Sequence, residues 1–309
     1  MPIVTPKLMT PVIAAALCLI MVPWSIVHAA SEFKQTSSAD PQGSIEIDVM
    51  SGSVEIDGWD RPEVEVTGQP DDLADRVRVS TSGDKTTIHV TPYSIHGNSS
   101  EDIHLIVHVP AKSGLTTSLV NASVKVQGLQ GDAYLRTISG SISGEVSGDL
   151  RVNTVTGTVH LSAPSAKRIE IKTISGNVQL TGGPGEAEVT TVSGKVQADL
   201  GSLTRGRFKS ISGDVTANYS LAQNAEIEGE SVSGTIRFGF ASTPGADFDV
   251  QSFSGTIDNC FGPKPTQAQY GPGSKLIFKS GDGHGNVRIA TKSGDIKLCT
   301  GSAHTAPAA

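Results

Sequence analysis

The sequence predicts an all-β protein: a β-solenoid, parallel β-helix-like, with coils of about 18–21 residues and an N-terminal β-rich capping region. Three observations predict it. A Ser-Gly-centred unit recurs along most of the chain. Apolar residues alternate with period two inside each unit. The composition, with 34 glycines and abundant Val, Ile, Thr and Ser, favours strands and tight turns, and no long stretch carries apolar residues at helical spacing.

The first 29 residues read as a signal peptide. Lys7 is the only formal charge, an apolar run extends from Val12 to Val22, and small residues close the segment at Ala29 and Ala30. Pro23 follows the apolar run too closely for a comfortable membrane span. Cys18 follows Leu17 rather than a small residue, which argues against lipidation there. The expected mature protein is periplasmic or secreted. Formal net charge is −7, and −8 once Lys7 leaves, so nothing electrostatic invites nucleic acid or anionic lipid. No later segment has the length and apolarity of a transmembrane helix.

Residues 30–115 hold segments such as GSIEIDV (43–49), GSVEIDG (52–58), TTIHVTP (86–92) and DIHLIVHVP (102–110). All alternate, but without a fixed period, and they are expected to cap the edge of the stack. From 116 to 300 the repeat takes over. Its units include RTISGSI, NTVTGTV, KTISGNV, TTVSGKV, KSISGDV, ESVSGTI, QSFSGTI and ATKSGDI. The anchors are Gly140, Gly157, Gly176, Gly194, Gly213, Gly234, Gly255 and Gly294, spaced by 17, 19, 18, 19, 21, 21 and then 39 residues. Two looser copies lie upstream, MSGSVEI (50–56) and LVNASVKV (119–126).

In RIEIKTISGNVQL (168–180), Ile169 and Ile171 alternate, and Ile174, Gly176, Val178 and Leu180 continue in the opposite phase. This places a bend near Lys172-Thr173 and points Ile174 inward. Each anchor glycine is expected where close packing, or a backbone angle other residues avoid, excludes a side chain.

Thr or Ser stands three residues before every anchor and again one residue before it, from Thr137 and Ser139 to Thr291 and Ser293. Such columns are expected to satisfy backbone groups at the bend. An outward Thr-x-Ser array of the ice-binding kind is disfavoured by the variable middle residue and the flanking charges.

Cys260 and Cys299 each follow an anchor by five residues, so they occupy equivalent positions. A disulfide is expected between them in an exported chain if their coils are adjacent, stapling a C-terminal coil that has one neighbour. If residues 275–283 form an intervening coil, a separation of roughly 10 Å forbids the bond. Residues 301–309 read as a disordered tail.

Candidate chemistry is thin. His104 and His108 lie about 13 Å apart along a strand, too far to share an ion. Gly281-Asp-Gly-His-Gly-Asn286 is a single glycine-aspartate turn without the tandem repetition calcium requires. The carboxylates Glu46, Asp48, Glu55, Asp57, Glu63 and Glu65 alternate with apolar residues, as a solvated face does. No catalytic, cofactor or metal residue is assigned.

The stretches VEIDGWDRPEVEVTG (54–68), HLIVHVPAKSGL (104–115) and 261–298, together with the TISG-type repeats, resemble the bacterial β-strand-repeat proteins grouped as putative adhesins, the domain of unknown function 4097. The resemblance covers nearly all of the mature chain and implies export and a β-solenoid. The expected function is that of a non-enzymatic cell-envelope protein, an adhesin or binding scaffold for an envelope or host macromolecule, protein or glycan. The alternatives are a carbohydrate-active β-helix enzyme, and a structural solenoid that self-associates end to end.

Overall fold

In the computed structural model, residues 33–69, 73–91, 103–183, 185–267 and 272–301 are described. The segment read as a signal peptide and the tail after Gly301 lie outside them. The architecture is all-β apart from one helical turn at Leu73–Arg76.

Each repeat contributes one strand before its Ser-Gly corner and one after it. The strands before the corner pair in parallel from repeat to repeat, and so do the strands after it. Thus Arg168–Thr173 lies between Leu150–Thr156 and Gly185–Thr191, while Val178–Gly182 lies between Val159–Ala163 and the start of Val196–Ser210. Two parallel sheets result, facing each other across the core. Val196–Ser210 and Val215–Ser231 run from the second sheet of one repeat into the first sheet of the next.

The period-two pattern explains the core. Leu135, Val152, Ile171, Val189 and Phe208 form an inward column in the first sheet; Ile142, Val159, Val178, Val196 and Val215 form its counterpart in the second. All are essentially inaccessible to water, each contributing about 1.5–3 kcal/mol by burial. Where repeats lengthen from 17–19 to 21 residues, Phe208, Tyr219, Phe238, Phe240 and Phe248 fill the interior, stacked between Phe208 and Tyr219 and edge to face in the other pairs. Full burial pushes the Tyr219 phenol well above its ordinary pKa.

The expected phase differs from the observed one. Ile169, Ile171 and Thr173 point inward, Ile174 and Ser175 point out, and Gly176 resumes the inward phase. The slip lies at Ser175, two residues later than expected, and Ile174 is exposed. The buried Thr173 hydroxyl accepts the Gly176 N–H at 3.0 Å, so a polar side chain occupies the inward position an aliphatic was expected to fill.

Ser44–Trp59 is itself a repeat: it pairs in parallel with Gly114–Leu129 in both sheets. The looser copy read at 50–56 thus lies in the stack, within the region expected to cap it. Outside Ser44–Trp59 lie Lys85–Val90 and His104–Pro110, also parallel. Antiparallel strands then cover this end: Val77–Ser82 on the first sheet, Glu63–Gln69 and Phe33–Ser38 on the second.

At the other end, order in space departs from order in the chain. Gly285–Thr291 and Ile296–Thr300 insert between the Gly234 repeat and the Gly255 repeat. The last repeat thus has neighbours on both sides, correcting the expectation that it has one. Ser274–Ser280 makes no intervening coil; it pairs antiparallel on the outside of Ala246–Ser252. The Gly255 and Gly294 repeats are consequently adjacent, and Cys260 and Cys299 form a disulfide with Cα atoms 4.8 Å apart.

The insertion also sets charges of opposite sign side by side. The outward faces of successive first-sheet strands alternate in sign: Glu186 and Glu188, then Arg205, Arg207 and Lys209, then Glu226, Glu228 and Glu230. Ion pairs join the rows, including Arg207–Glu228 at 2.7 Å and Lys209–Glu230 at 2.7 Å. Stacking in chain order would set the three glutamates against Asp247 and Asp249. Instead Arg288 stands in register between Glu228 and Asp249. Exposed pairs of this kind are worth about 0.2–1 kcal/mol each.

Two outcomes are expected. Gly213→Ala lowers the unfolding free energy by about 1–3 kcal/mol, because a Cβ there meets the Gly194 carbonyl oxygen, and denaturant titration measures the loss. Cys260→Ser lowers it by about 2–4 kcal/mol, a deficit that disappears when wild type and variant are compared under reducing conditions.

Candidate binding face

The corner is built the same way at Gly176, Gly194, Gly213, Gly234 and Gly255, whereas at Gly140, Gly157 and Gly294 the inward threonine hydroxyl donates to a backbone carbonyl. The inward hydroxyl three residues before the anchor holds the turn: the N–H groups of Gly194, Gly213, Gly234 and Gly255 donate to Thr191, Ser210, Ser231 and Ser252 at 2.8–3.0 Å. The hydroxyl one residue before the anchor points outward and donates to a carbonyl of the neighbouring repeat. Ser193 reaches Ile174, Ser212 reaches Val192, Ser233 reaches Ile211, and Ser293 reaches Val232, all at 3.2–3.4 Å. The two hydroxyl columns thus face opposite sides of the corner, so no flat Thr-x-Ser array exists.

The anchor glycines sit one above another. A Cβ on Gly157, Gly176, Gly194, Gly213 or Gly234 would strike the carbonyl oxygen of the anchor before it in the stack; Gly294 faces Gly234 and Gly255 faces Gly294 in the same way. Close approach is the common reason for glycine. Only Gly140 and Gly157, at φ +130° and +145°, also need its backbone freedom.

Between the two hydroxyl columns, two residues before each anchor, stands a side chain that the corner turns outward. In stack order these are Met50, Val120, Ile138, Val155, Ile174, Val192, Ile211, Val232, Lys292 and Phe253. Nine of ten are large and apolar, yet Ile138 is 50% exposed, Ile211 51% and Phe253 68%. Nine steps of about 4.8 Å make a ladder roughly 43 Å long. Beside it runs a shallow groove of about 630 Å³, bounded by Val192, Ile211, Val232 and Phe253 and by Thr190, Lys209, Glu230 and Ala290. Scattered exposed aliphatics are unremarkable in a folded chain, but here eight consecutive rungs from Met50 to Val232 are apolar, Lys292 alone separating them from Phe253, which makes an extended exposed apolar patch. The alternation rule assigned these residues to the core. The signal that distinguishes seven of them is the Thr or Ser just before each, which takes the inward position; before Met50 and Val120 that place is held by Val49 and Leu119.

The remaining candidates stay on the surface. His104 Nδ1 lies 2.8 Å from the Ser53 hydroxyl, and His108 stacks on Trp59 with ring centroids 4.9 Å apart. Among the described residues no three His, Cys, Asp or Glu side chains gather as a metal site would require. Asp282 and His284 lie 3.8 Å apart in the turn before Gly285–Thr291. Glu46, Glu55 and Glu65 are each engaged by a lysine.

The carboxylates that are shifted all move downward, away from what a general acid needs. A hydrogen bond from Lys172 at 2.6 Å holds Glu170 low, against its burial and with help from Arg151. Partial burial pushes Glu228 up, but Arg207 and Lys209 outweigh it. The Thr256 N–H and hydroxyl hold Asp295 low at 2.8 and 2.7 Å.

Stability is therefore expected to fall in acid. Groups with depressed folded-state pKa contribute fully above the unfolded carboxylate value, about 4, and lose that contribution as pH drops through the folded values below it. A urea midpoint lower at pH 3 than at pH 7, with Lys172→Met narrowing the difference, is the result to look for. Ladder and inward positions should also differ sharply. Ile174→Ser and Val192→Ser change stability by no more than about 0.5 kcal/mol, whereas Thr191→Val costs about 1–3 kcal/mol by stranding the Gly194 N–H. Thermal melts distinguish the two.

A comparison with curated proteins finds no significant match. Solved structures do match in fold. One described as a putative lipid binding protein from Parabacteroides distasonis aligns at TM-score 0.53 and 15% identity, covering 86% of this chain and 96% of that one. A putative adhesin from Bacteroides fragilis aligns at TM-score 0.45 and 9% identity, over 86% and 96% of the two chains. Another from Parabacteroides merdae does so at 0.44 and 12%, over 86% and 95%. The family model described as Toastrack DUF4097 matches residues 43–299, nearly the whole set of repeats and the segments flanking them. The chain belongs to the Toastrack DUF4097 family.

Proposed function

We propose that this protein is an exported, non-enzymatic component of the cell envelope: a β-solenoid binding scaffold that engages a macromolecular partner through its corner ladder. The observation that carries the reading is the line of nine exposed apolar side chains held in register by the stacked corners. A rigid repeat stack offers such a line ready-made, so binding costs little ordering of the protein. The Cys260–Cys299 disulfide suits an oxidising compartment outside the cytoplasm. A solved structure of the same fold is described as a putative lipid binding protein, an activity that uses a surface receiving a ligand without transforming it.

The test is a binding screen of the protein purified after export, against envelope glycans, host matrix proteins and lipid vesicles. The triple variant Ile174→Ser, Val192→Ser, Ile211→Ser is screened beside it. Saturable binding by the wild type, lost in a variant that melts at the same temperature, is expected. Cleavage of any glycan, or binding that survives the triple substitution, overturns the proposal.

A further inference from the structure

We infer that the outward face of the first sheet carries a separate binding site, a trough beside Tyr134 that takes a neutral saccharide of one or two pyranose rings. The site does not depend on the ladder, whose rung Ile138 lies four residues, about 13 Å, from Tyr134 along the strand.

The trough encloses about 340 Å³, at the small end of the ~300–1,000 Å³ range of ligand sites. Two departures from the surrounding pattern create it. In the outward row that crosses the first sheet from Glu46 to Asp249, every position is charged except Thr116 and Tyr134. In the outward row beside it, a Cβ on Gly114 would meet nothing nearer than 4.0 Å, so packing does not ask for glycine there. The missing side chain leaves the hollow open, and Tyr134 lines it.

The surrounding side chains are fixed before any ligand arrives. Asn153 Nδ2 donates to the Tyr134 hydroxyl at 2.8 Å, and the Arg151 guanidinium lies 5.9 Å from the ring centroid. Glu170, only 9% exposed, accepts from Arg151 Nε at 3.0 Å and from Lys172 at 2.6 Å. Among the described residues nothing engages the two terminal amino groups of Arg151, which are left as donors. Asp132 and Asp149 each give one carboxylate oxygen to backbone N–H groups, at 2.9 and 3.0 Å, and the second oxygen of each is left as an acceptor.

An aromatic ring among fixed donors and acceptors suits a pyranose, whose C–H face lies on the ring while its hydroxyls reach the guanidinium and the carboxylates. Charge selects a neutral ligand. The trough is lined by three acidic groups, Asp132, Asp149 and Glu170, against two basic ones, Arg151 and Arg168, and the partners Lys172 and Glu186 add one of each sign. An acyl chain would strip water from both free carboxylate oxygens without replacing their hydrogen bonds. A peptide strand finds no free edge, because the strands beneath the trough are paired on both sides. The Lys85–Glu46 pair stands beyond one end and the Arg168–Glu186 pair at the other, so the trough holds a short saccharide rather than the middle of a chain.

Ligand-observed NMR titration of the exported protein tests the inference with glucose, N-acetylglucosamine, maltose, lactose and chitobiose, and with glucuronate as the anionic control. Saturable binding of at least one neutral saccharide is expected, with glucuronate weaker. Tyr134→Ala weakens that binding about tenfold by removing the ring. Gly114→Leu, which fills the hollow, abolishes it, and both variants keep the wild-type melting temperature within a few degrees. The serine triple variant of the ladder binds the saccharide like wild type. No saturable binding up to about 50 mM, far above a millimolar Kd, overturns the inference. So does binding that persists in Gly114→Leu, or a preference for glucuronate. Loss in the ladder variant with none in Tyr134→Ala also overturns the trough, and leaves the binding-face reading standing.

Discussion

Everything in this protein depends on how closely one corner can approach the next. The carbonyl of each anchor glycine occupies the space where the next anchor would carry a Cβ, so the column tolerates hydrogen there and little else. That contact sets the spacing of the repeats, and the spacing sets the hydrogen bonding of both sheets. Two hydroxyls then complete the bend. One, buried, takes the glycine N–H that the turn withdraws from the ladder; the other, outward, takes a carbonyl of the neighbouring repeat. A buried backbone group left without a partner costs about 1–3 kcal/mol, and the buried hydroxyl removes that cost at Gly176, Gly194, Gly213, Gly234 and Gly255.

The same geometry produces the candidate binding face. A strand alternates, and the corner must return the chain to an inward glycine two residues after an outward side chain. One extra outward residue is unavoidable, and the side chain before it has nowhere to go but solvent. Polar residues would serve that position equally well for folding. Its occupation by Ile, Val, Met or Phe in nine repeats of ten is therefore a feature of the surface rather than of the core.

Electrostatics acts at a different level. The alternating basic and acidic rows contribute modestly to stability, since most of the groups are substantially exposed. The final repeat lies between two acidic repeats in space although it follows both in the chain, and the antiparallel strand outside Asp247 and Asp249 brings Lys275 and Lys279 against the last acidic row. The disulfide then joins the two repeats whose stacking order is reversed, which ties the rearranged end together.

Much was legible from the residues alone. The anchors, their spacing, the hydroxyl columns and the matched positions of Cys260 and Cys299 all follow from a repeat whose local chemistry is the same each time. All-β character follows from alternation and composition. What the chain could not disclose by itself was the order in which distant repeats stack, because every repeat presents the same hydrogen-bonding edge and only neighbouring charges distinguish one site from another. Nor could it disclose the direction of Ile174 and its counterparts. Alternation assigns an aliphatic inward by hydrophobicity, whereas at the corner the short Thr or Ser before it claims the inward place, its hydroxyl bonding the backbone of the turn. That competition is decided by three-dimensional packing, and it turns seven apolar residues from core into surface.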